Sequence, residues 1–126
     1  MLKPSVRKIV NEILKKWGVT LTQKEIIDMW DQPHRHYHNN ENHLEPLLYD
    51  IVNFHKEFQM EQLDFEKLIL AALFHDIVYE PKAKDNEQKS MDYFSSVTKP
   101  SDDVIDVIEI IKSTITHEPK TKLQEL

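Results

Sequence analysis

The segment Leu68-Ile-Leu-Ala-Ala-Leu-Phe74 is followed at once by His75 and Asp76, and this stretch decides the fold. An unbroken apolar run without Gly or Pro predicts a helix that is buried on all sides at the centre of a bundle. Ionisable side chains at the end of such a run are costly unless they are paired or bound to a metal. The stretch therefore predicts both a central helix and a candidate site at its end.

The rest of the chain predicts further helices around this one, giving an all-α bundle of about six. Helical spacing of apolar residues and capping signals such as Thr22 with Glu25 and the single Gly18 support this interpretation. A Pro at position 46 fits only the first turn of a helix, so the third helix should begin at about Asn42 or His43. The predicted N-caps of the first, second, fourth and fifth helices are Ser5, Thr22, Asp64 and Asp85, and the sixth helix carries apolar residues from Val104 to Ile115. The first five helices should end before Gly18, at Trp30, past Phe58, at about Val78 and at about Val97, and the sixth should end at His117.

Length and composition bound the class of protein. The 126 residues are enough for one compact domain, which we expect to span 1–126, and whether its C-terminal end is complete stays open. One Gly excludes a glycine-rich phosphate loop, and the lack of Cys excludes disulfides, zinc fingers and a cysteine nucleophile. A net charge of −6 argues against nucleic acid as a partner.

The sequence also favours a cytoplasmic protein without membrane contact. The longest apolar run, Leu68 to Phe74, is too short to span a bilayer, and the N-terminus carries no apolar signal core. The lack of Cys is compatible with a reducing compartment. The oligomeric state stays open, a homodimer included.

The His75–Asp76 pair offers one imidazole and one carboxylate, a ligand combination that suits Zn²⁺, Mn²⁺ or Fe²⁺. On a continuous helix the two side chains would point about 100° apart and flank a groove floored by Ala72. The alternative is that the helix ends near Phe74 and the pair faces solvent.

A second polar segment strengthens the metal interpretation. It is Pro33-His-Arg-His-Tyr-His-Asn-Asn-Glu-Asn-His43, in which five of eleven residues are His or Arg. His43 lies where the third helix should begin, so that its side chain can point inward. The alternative is a polar surface loop whose histidines are there by chance.

Three further residues are weaker candidates. His117 follows the sixth helix and is either a ligand or a residue at the rim of a site. Glu87 and Lys89 open the fifth helix, and a helix N-terminus favours anions such as phosphate. The alternative for Glu87 is a simple first-turn charge.

Taken together, these segments resemble the HD superfamily of metal-dependent phosphohydrolases, and one bacterial branch in particular. The resemblance spans about Trp30 to His117. It is carried by the 33–44 segment, by Leu70-Ala-Ala-Leu-Phe-His-Asp-Ile-Val-Tyr-Glu-Pro81 with Asp85-Asn-Glu87, and by Thr114-Ile-Thr-His117.

The resemblance implies an HD-domain-like fold in which His43, His75 and Asp76 bind a metal. It also implies that His38 donates a proton to the leaving oxygen, as the matching His does in cyclic-nucleotide phosphodiesterases of the same fold. This sequence departs from the pattern in two places. One residue is inserted between His38 and His43, and no further Asp ligand follows on a later helix. Either the sequence is a fragment or that ligand is lost, and then His117 or solvent would fill its place.

The expected function is hydrolysis of a small phosphorylated substrate, such as a nucleotide or another phosphomonoester, with a divalent ion (Mn, Mg, Zn, Fe, Co or Ni) as cofactor. Asp76 would bind the metal and orient water, His38 would act as general acid, and Arg35 or Lys89 would neutralise phosphate charge. One alternative is a catalytically impaired HD-like domain that binds a nucleotide or a protein partner. Another is a helical interaction domain without metal.

Overall fold

A computed structural model of the chain describes residues 3–32, 43–80 and 84–116, and for residues 114–116 it describes the backbone alone. Within these ranges the backbone forms six helices and no strand, which confirms the predicted all-α fold. The helices are α1 (Pro4–Lys16), α2 (Gln23–Trp30), α3 (Glu45–Phe58), α4 (Gln62–Phe74), α5 (Asn86–Ser96) and α6 (Asp102–Thr116).

The apolar segment forms α4, and this helix lies at the centre of the bundle. Every residue from Phe65 to Phe74 is buried, and α4 packs against α1, α3, α5 and α6. Burying one large apolar side chain contributes about 1.5–3 kcal/mol, so a helix apolar on every face is stable only where other helices surround it. The prediction of a central buried helix is therefore confirmed.

Several predicted helix boundaries are confirmed because local chemistry sets them. Thr22 and Glu25 form the capping box at the start of α2: the Thr22 hydroxyl accepts from the Glu25 N–H, and the Glu25 carboxylate accepts from the Thr22 N–H. Gly18 follows the end of α1 with a φ of 67°, a left-handed conformation that glycine adopts without strain. Asp85 is also the N-cap residue of α5 and Val97 its C-cap residue, as predicted, but the Asp85 side chain makes no capping hydrogen bond.

Other predicted boundaries are wrong. Ser5 lies inside the first helix and is not its N-cap: Lys3 is the N-cap residue and the helix begins at Pro4, because the fixed φ of proline suits the first helical position. α4 starts at Gln62, so Asp64 lies inside its first turn and Glu61 is the N-cap residue. α4 also ends at Phe74 instead of continuing to Val78.

The start of the third helix is close to the prediction. His43 and Leu44 have helical backbone that leads directly into α3, and Pro46 lies in the first turn of that helix. His43 is therefore held by regular backbone at the edge of the bundle, where it faces the end of α4.

Two charged residues of α4 are buried and join this helix to its neighbours. The Glu66 carboxylate accepts hydrogen bonds from Lys16 Nζ at 2.9 Å, Trp17 Nε1 at 2.9 Å and Gln62 Nε2 at 3.0 Å. Lys67 Nζ donates to Asp106 on α6 at 2.7 Å. Buried charges are tolerated only when they are paired in this way.

Among the helices in the described ranges, each is too short or too polar to cross a lipid bilayer.

Candidate metal centre

Two side chains donate hydrogen bonds to carbonyl groups of the last turn of α4. A helix leaves its final four carbonyl oxygens without partners from the helix itself. The Ala72 carbonyl accepts a hydrogen bond from the His75 ring at 2.8 Å, and the Leu73 carbonyl accepts one from the Trp30 indole at 2.8 Å. His75 is the C-cap residue, and Asp76 lies in the turn that follows. The doublet therefore stands just past the helix, not on it.

The contact with Ala72 fixes which nitrogen of His75 is available for chemistry. A carbonyl oxygen only accepts hydrogen bonds, so Nδ1 of His75 must carry the proton in this contact. In the neutral ring the Nε2 atom then keeps its lone pair. Histidines that bind metals are commonly oriented in this way, with the second nitrogen bonded to a backbone carbonyl.

Three potential ligand atoms converge at this point. His75 Nε2 lies 3.0 Å from His43 Nε2 and 3.4 Å from Asp76 Oδ2, and His43 Nε2 lies 3.7 Å from the same Asp76 oxygen. A point about 2 Å from all three atoms exists, and this is close to the roughly 2.0–2.2 Å that Zn²⁺ makes to nitrogen and oxygen ligands. The geometry and the donor set both fit a divalent ion.

The site is closed on one side and open on the other. The His75 side chain is 11% exposed and that of Asp76 is 20% exposed, whereas His43 is 38% exposed. Of the two sequence alternatives for the doublet, the helix does end at Phe74, but the pair does not face solvent freely. The expectation that the two side chains flank a groove over Ala72 on a continuous helix is wrong, because α4 ends at Phe74. The His75 ring instead bonds the Ala72 carbonyl.

The rings of His43 and His75 contact each other directly. Their Nε2 atoms are 3.0 Å apart, which is a hydrogen-bond distance. Since His75 Nε2 holds the lone pair, His43 Nε2 would carry the proton in a neutral pair. Binding of a cation by both nitrogens requires that this proton leave or move to Nδ1 of His43, so metal binding would be coupled to proton transfer.

The segment after the doublet is held by α5. Ser90 is fully buried, and its hydroxyl accepts from the Val78 N–H at 3.1 Å and donates to the Val78 carbonyl at 3.3 Å. The Asn86 amide pairs in the same two-way manner with the backbone of Glu80, at 3.1 and 2.9 Å. These contacts fix the chain on the far side of Asp76. The sequence patterns gave neither residue a role, although Asn86 lies in the Asp85-Asn-Glu87 element.

The remaining predicted site residues are distributed as follows. Glu87 is half-buried in the first turn of α5, whereas Lys89 is exposed and lies 3.7 Å from the Asp85 carboxylate. Among the described residues, the group of potential ligands comprises His43, His75 and Asp76. The predicted residues Arg35, His38 and His117 lie outside the described residues.

Sequence reasoning missed one residue of the site, Trp30. It is completely buried at the end of α2, and its ring centroid lies 5.7 Å from that of His43 and 5.5 Å from that of His75. The available signal was its position, because a tryptophan directly precedes the segment that leads into the His-rich stretch.

Comparison with protein-family models, with curated proteins and with solved structures gave no match to this chain.

Proposed function

We propose that this protein is a divalent-metal-dependent hydrolase of a phosphate ester, with His43, His75 and Asp76 as the metal ligands. The observation that carries the proposal is the convergence of these three ligand atoms within 3.0–3.7 Å at the end of the central helix. Two imidazoles and one carboxylate are a donor set that catalytic zinc and related ions use, with further positions left for water or substrate.

A bound divalent ion would supply Lewis acidity toward a water molecule and a phosphoryl oxygen. The chain's own residues would supply the rest. Asp76 has two carboxylate oxygens, so one can bind the ion while the other accepts a hydrogen bond and orients the attacking water. His75 is held by the Ala72 carbonyl, which keeps its ring from rotating away from the centre.

The choice of a phosphate ester rests on the sequence pattern. The resemblance to HD phosphohydrolases includes the Tyr37-His38-Asn39 element, and in the proposal His38 protonates the leaving oxygen. Arg35 and Lys89 are the cations that would neutralise phosphate charge. The first turn of α5, which carries Glu87, offers backbone N–H groups of a kind that favour anions.

The same reasoning suggests a small substrate such as a nucleotide or a phosphomonoester. The net charge of −6 favours a small molecule over a nucleic acid, whose backbone needs a basic surface. We also propose a cytoplasmic location, with which the cysteine-free composition is compatible.

The test is phosphate release from a panel of nucleotides and phosphomonoesters by the full chain loaded with Mn²⁺, Co²⁺, Ni²⁺ or Zn²⁺. We expect turnover with at least one ion, and loss of that turnover on chelation and in His75→Ala. The matched control is His55→Ala, because His55 stacks on Phe65 with ring centroids 4.1 Å apart and belongs to the packing of α3 on α4.

Two results would contradict the proposal. The first is metal-loaded protein that hydrolyses nothing in the panel. The second is turnover that His75→Ala leaves unchanged. If the protein binds a metal and a nucleotide without turnover, the chain is instead a binding domain that uses the same three ligands.

A further inference from the structure

Three aromatic rings meet at the end of α4. The centroids of His43 and His75 are 5.1 Å apart, and that of Trp30 lies 5.7 and 5.5 Å from them. The Trp30 side chain is completely buried, so its position is set by packing. A rigid indole in contact with both imidazoles limits the rotation of each ring.

The indole N–H of Trp30 acts on the helix that precedes the doublet. It donates to the Leu73 carbonyl at 2.8 Å. In a continuing α-helix that carbonyl would accept from the Ile77 N–H, but the Ile77 N–H bonds the Phe74 carbonyl at 3.2 Å. Trp30 therefore bonds a backbone carbonyl at the place where α4 stops, directly before His75 and Asp76.

We propose that Trp30 is a positioning residue of the metal centre, which raises metal affinity by holding both histidine rings and by fixing the end of α4. This inference rests on the proposed metal site. Trp30 does not itself bind the ion, because the indole nitrogen carries a proton and donates it to Leu73. Residues that orient ligands in this indirect way typically contribute tenfold to a hundredfold in metal affinity.

The chain supplies its own control, because it has two tryptophans. Trp17 also donates its indole N–H to α4, but to the Glu66 carboxylate at 2.9 Å, nine residues before His75. Trp17→Phe and Trp30→Phe each remove one indole N–H that donates to α4, and the two donors contact α4 at different places. Only the second of these places touches the histidines.

The experiment measures Zn²⁺ affinity by competition with a chromophoric chelator for the wild type and for both variants. We expect Trp17→Phe to bind Zn²⁺ like the wild type and Trp30→Phe to bind it about ten times more weakly or worse. Wild-type affinity in Trp30→Phe would overturn the positioning role and leave the metal site intact. A wild type that binds no Zn²⁺ would overturn the metal site and the positioning role together.

A second variant keeps the test decisive if Trp30→Phe does not fold. In the Trp17→Phe background, Trp30 is replaced by benzothienylalanine, which keeps the ring shape and exchanges the N–H for sulfur. Weaker Zn²⁺ binding supports the role of the hydrogen bond from Trp30 to Leu73, and affinity equal to that of Trp17→Phe contradicts that role.

Fluorescence tests separately whether the bound ion lies beside Trp30. In Trp17→Phe, titration with Co²⁺ should quench the emission of Trp30. The affinity taken from this quenching should equal the Co²⁺ affinity measured by competition with Zn²⁺. If the emission of Trp30 does not respond to bound Co²⁺, the ion lies elsewhere and the inference fails.

Discussion

One polar cluster lies near each end of the central helix α4. The two clusters contain similar side chains but differ in what they do. Near the start of α4, the Glu66 carboxylate accepts hydrogen bonds from Lys16, Trp17 and Gln62. At the other end, His75 and its neighbours are contacted by the second tryptophan, Trp30. Each cluster thus combines an indole N–H with a buried ionisable residue, which is Glu66 on α4 in the first cluster and His75 just past the end of α4 in the second.

The difference lies in the chemical character of the partners. At Glu66 a carboxylate meets three hydrogen-bond donors, one of which is a cation, so the chain itself completes the cluster. Burial raises the pKa of Glu66, but the hydrogen bonds from Lys16, Gln62 and Trp17 outweigh this and leave the pKa below its ordinary value. At the doublet, two imidazoles and a carboxylate bring their electron-pair donors together, an arrangement that suits a cation supplied from outside. The first cluster is therefore structural, and the second is the candidate site.

The largest effect should come from His75→Ala, which removes one of three ligands. Metal affinity should fall by more than the roughly 10–100-fold that loss of an outer-shell partner costs. Calorimetric titration with Zn²⁺ measures this, and His55→Ala is the control that should bind like the wild type. Equal affinity in His75→Ala would remove the distinction between the two clusters.

Glu66→Ala should act on stability and leave the metal centre alone. The free energy of unfolding should fall by about 1.5–3 kcal/mol, the usual contribution of hydrogen bonds to a charged group, because Trp17 and Gln62 lose their acceptor. Urea denaturation of the metal-free protein measures the loss. Zn²⁺ affinity at a temperature where the variant is folded should match the wild type, and a large drop would show that the two clusters are coupled.

The lowered pKa of Glu66 sharpens the comparison through pH. Because the pKa is lower in the folded than in the unfolded protein, the unfolded state binds more protons in acid, and the carboxylate contributes less stability as pH falls. The stability gap between the wild type and Glu66→Gln should therefore be full at neutral pH. It should begin to close near pH 4.5, the ordinary value for glutamate, and go on closing as pH falls through the folded-state value. Denaturation curves from pH 7 to pH 3 test this, and a constant gap would contradict it.

The smallest effect should come from Lys67→Met, which cuts the polar link between α4 and α6. A hydrogen bond to Asp106 raises the pKa of Lys67, burial opposes this, and the charges of Asp106 and Asp103 add to the rise. Both aspartates are at least half exposed, so the pair should contribute about 0.5–1 kcal/mol. Thermal unfolding at neutral pH measures the loss, and a much larger value would mean that this link is as important as the Glu66 cluster.

The sequence predicted those parts of the fold that short-range chemistry controls. The apolar run from Leu68 to Phe74 was enough to place a buried central helix, and Thr22 with Glu25 marked the start of α2. The end of α4 could not be predicted, because nothing near Phe74 forbids a longer helix. At that end the Trp30 indole, 43 residues before Leu73, donates to a carbonyl of the last turn, a contact that no local pattern reveals.

The same distinction holds for the candidate site. The doublet and the His-rich segment pointed to His43, His75 and Asp76, and the structure brings these three together. The partners of Glu66 and Lys67 could not be read from the sequence, because Lys16 and Asp106 lie 50 and 39 residues away from them. Contacts between residues so far apart in the sequence depend on how the helices pack. The apolar pattern of a single helix does not predict that packing.

The most direct measurement is X-ray absorption at the zinc edge of the Zn²⁺-loaded protein, which counts imidazole ligands without reference to activity. The predicted spectrum contains at least the two imidazoles of His43 and His75, together with oxygen donors, and one imidazole is lost in His75→Ala. A spectrum that shows no imidazole, or one that His75→Ala leaves unchanged, would contradict a metal centre at the end of α4.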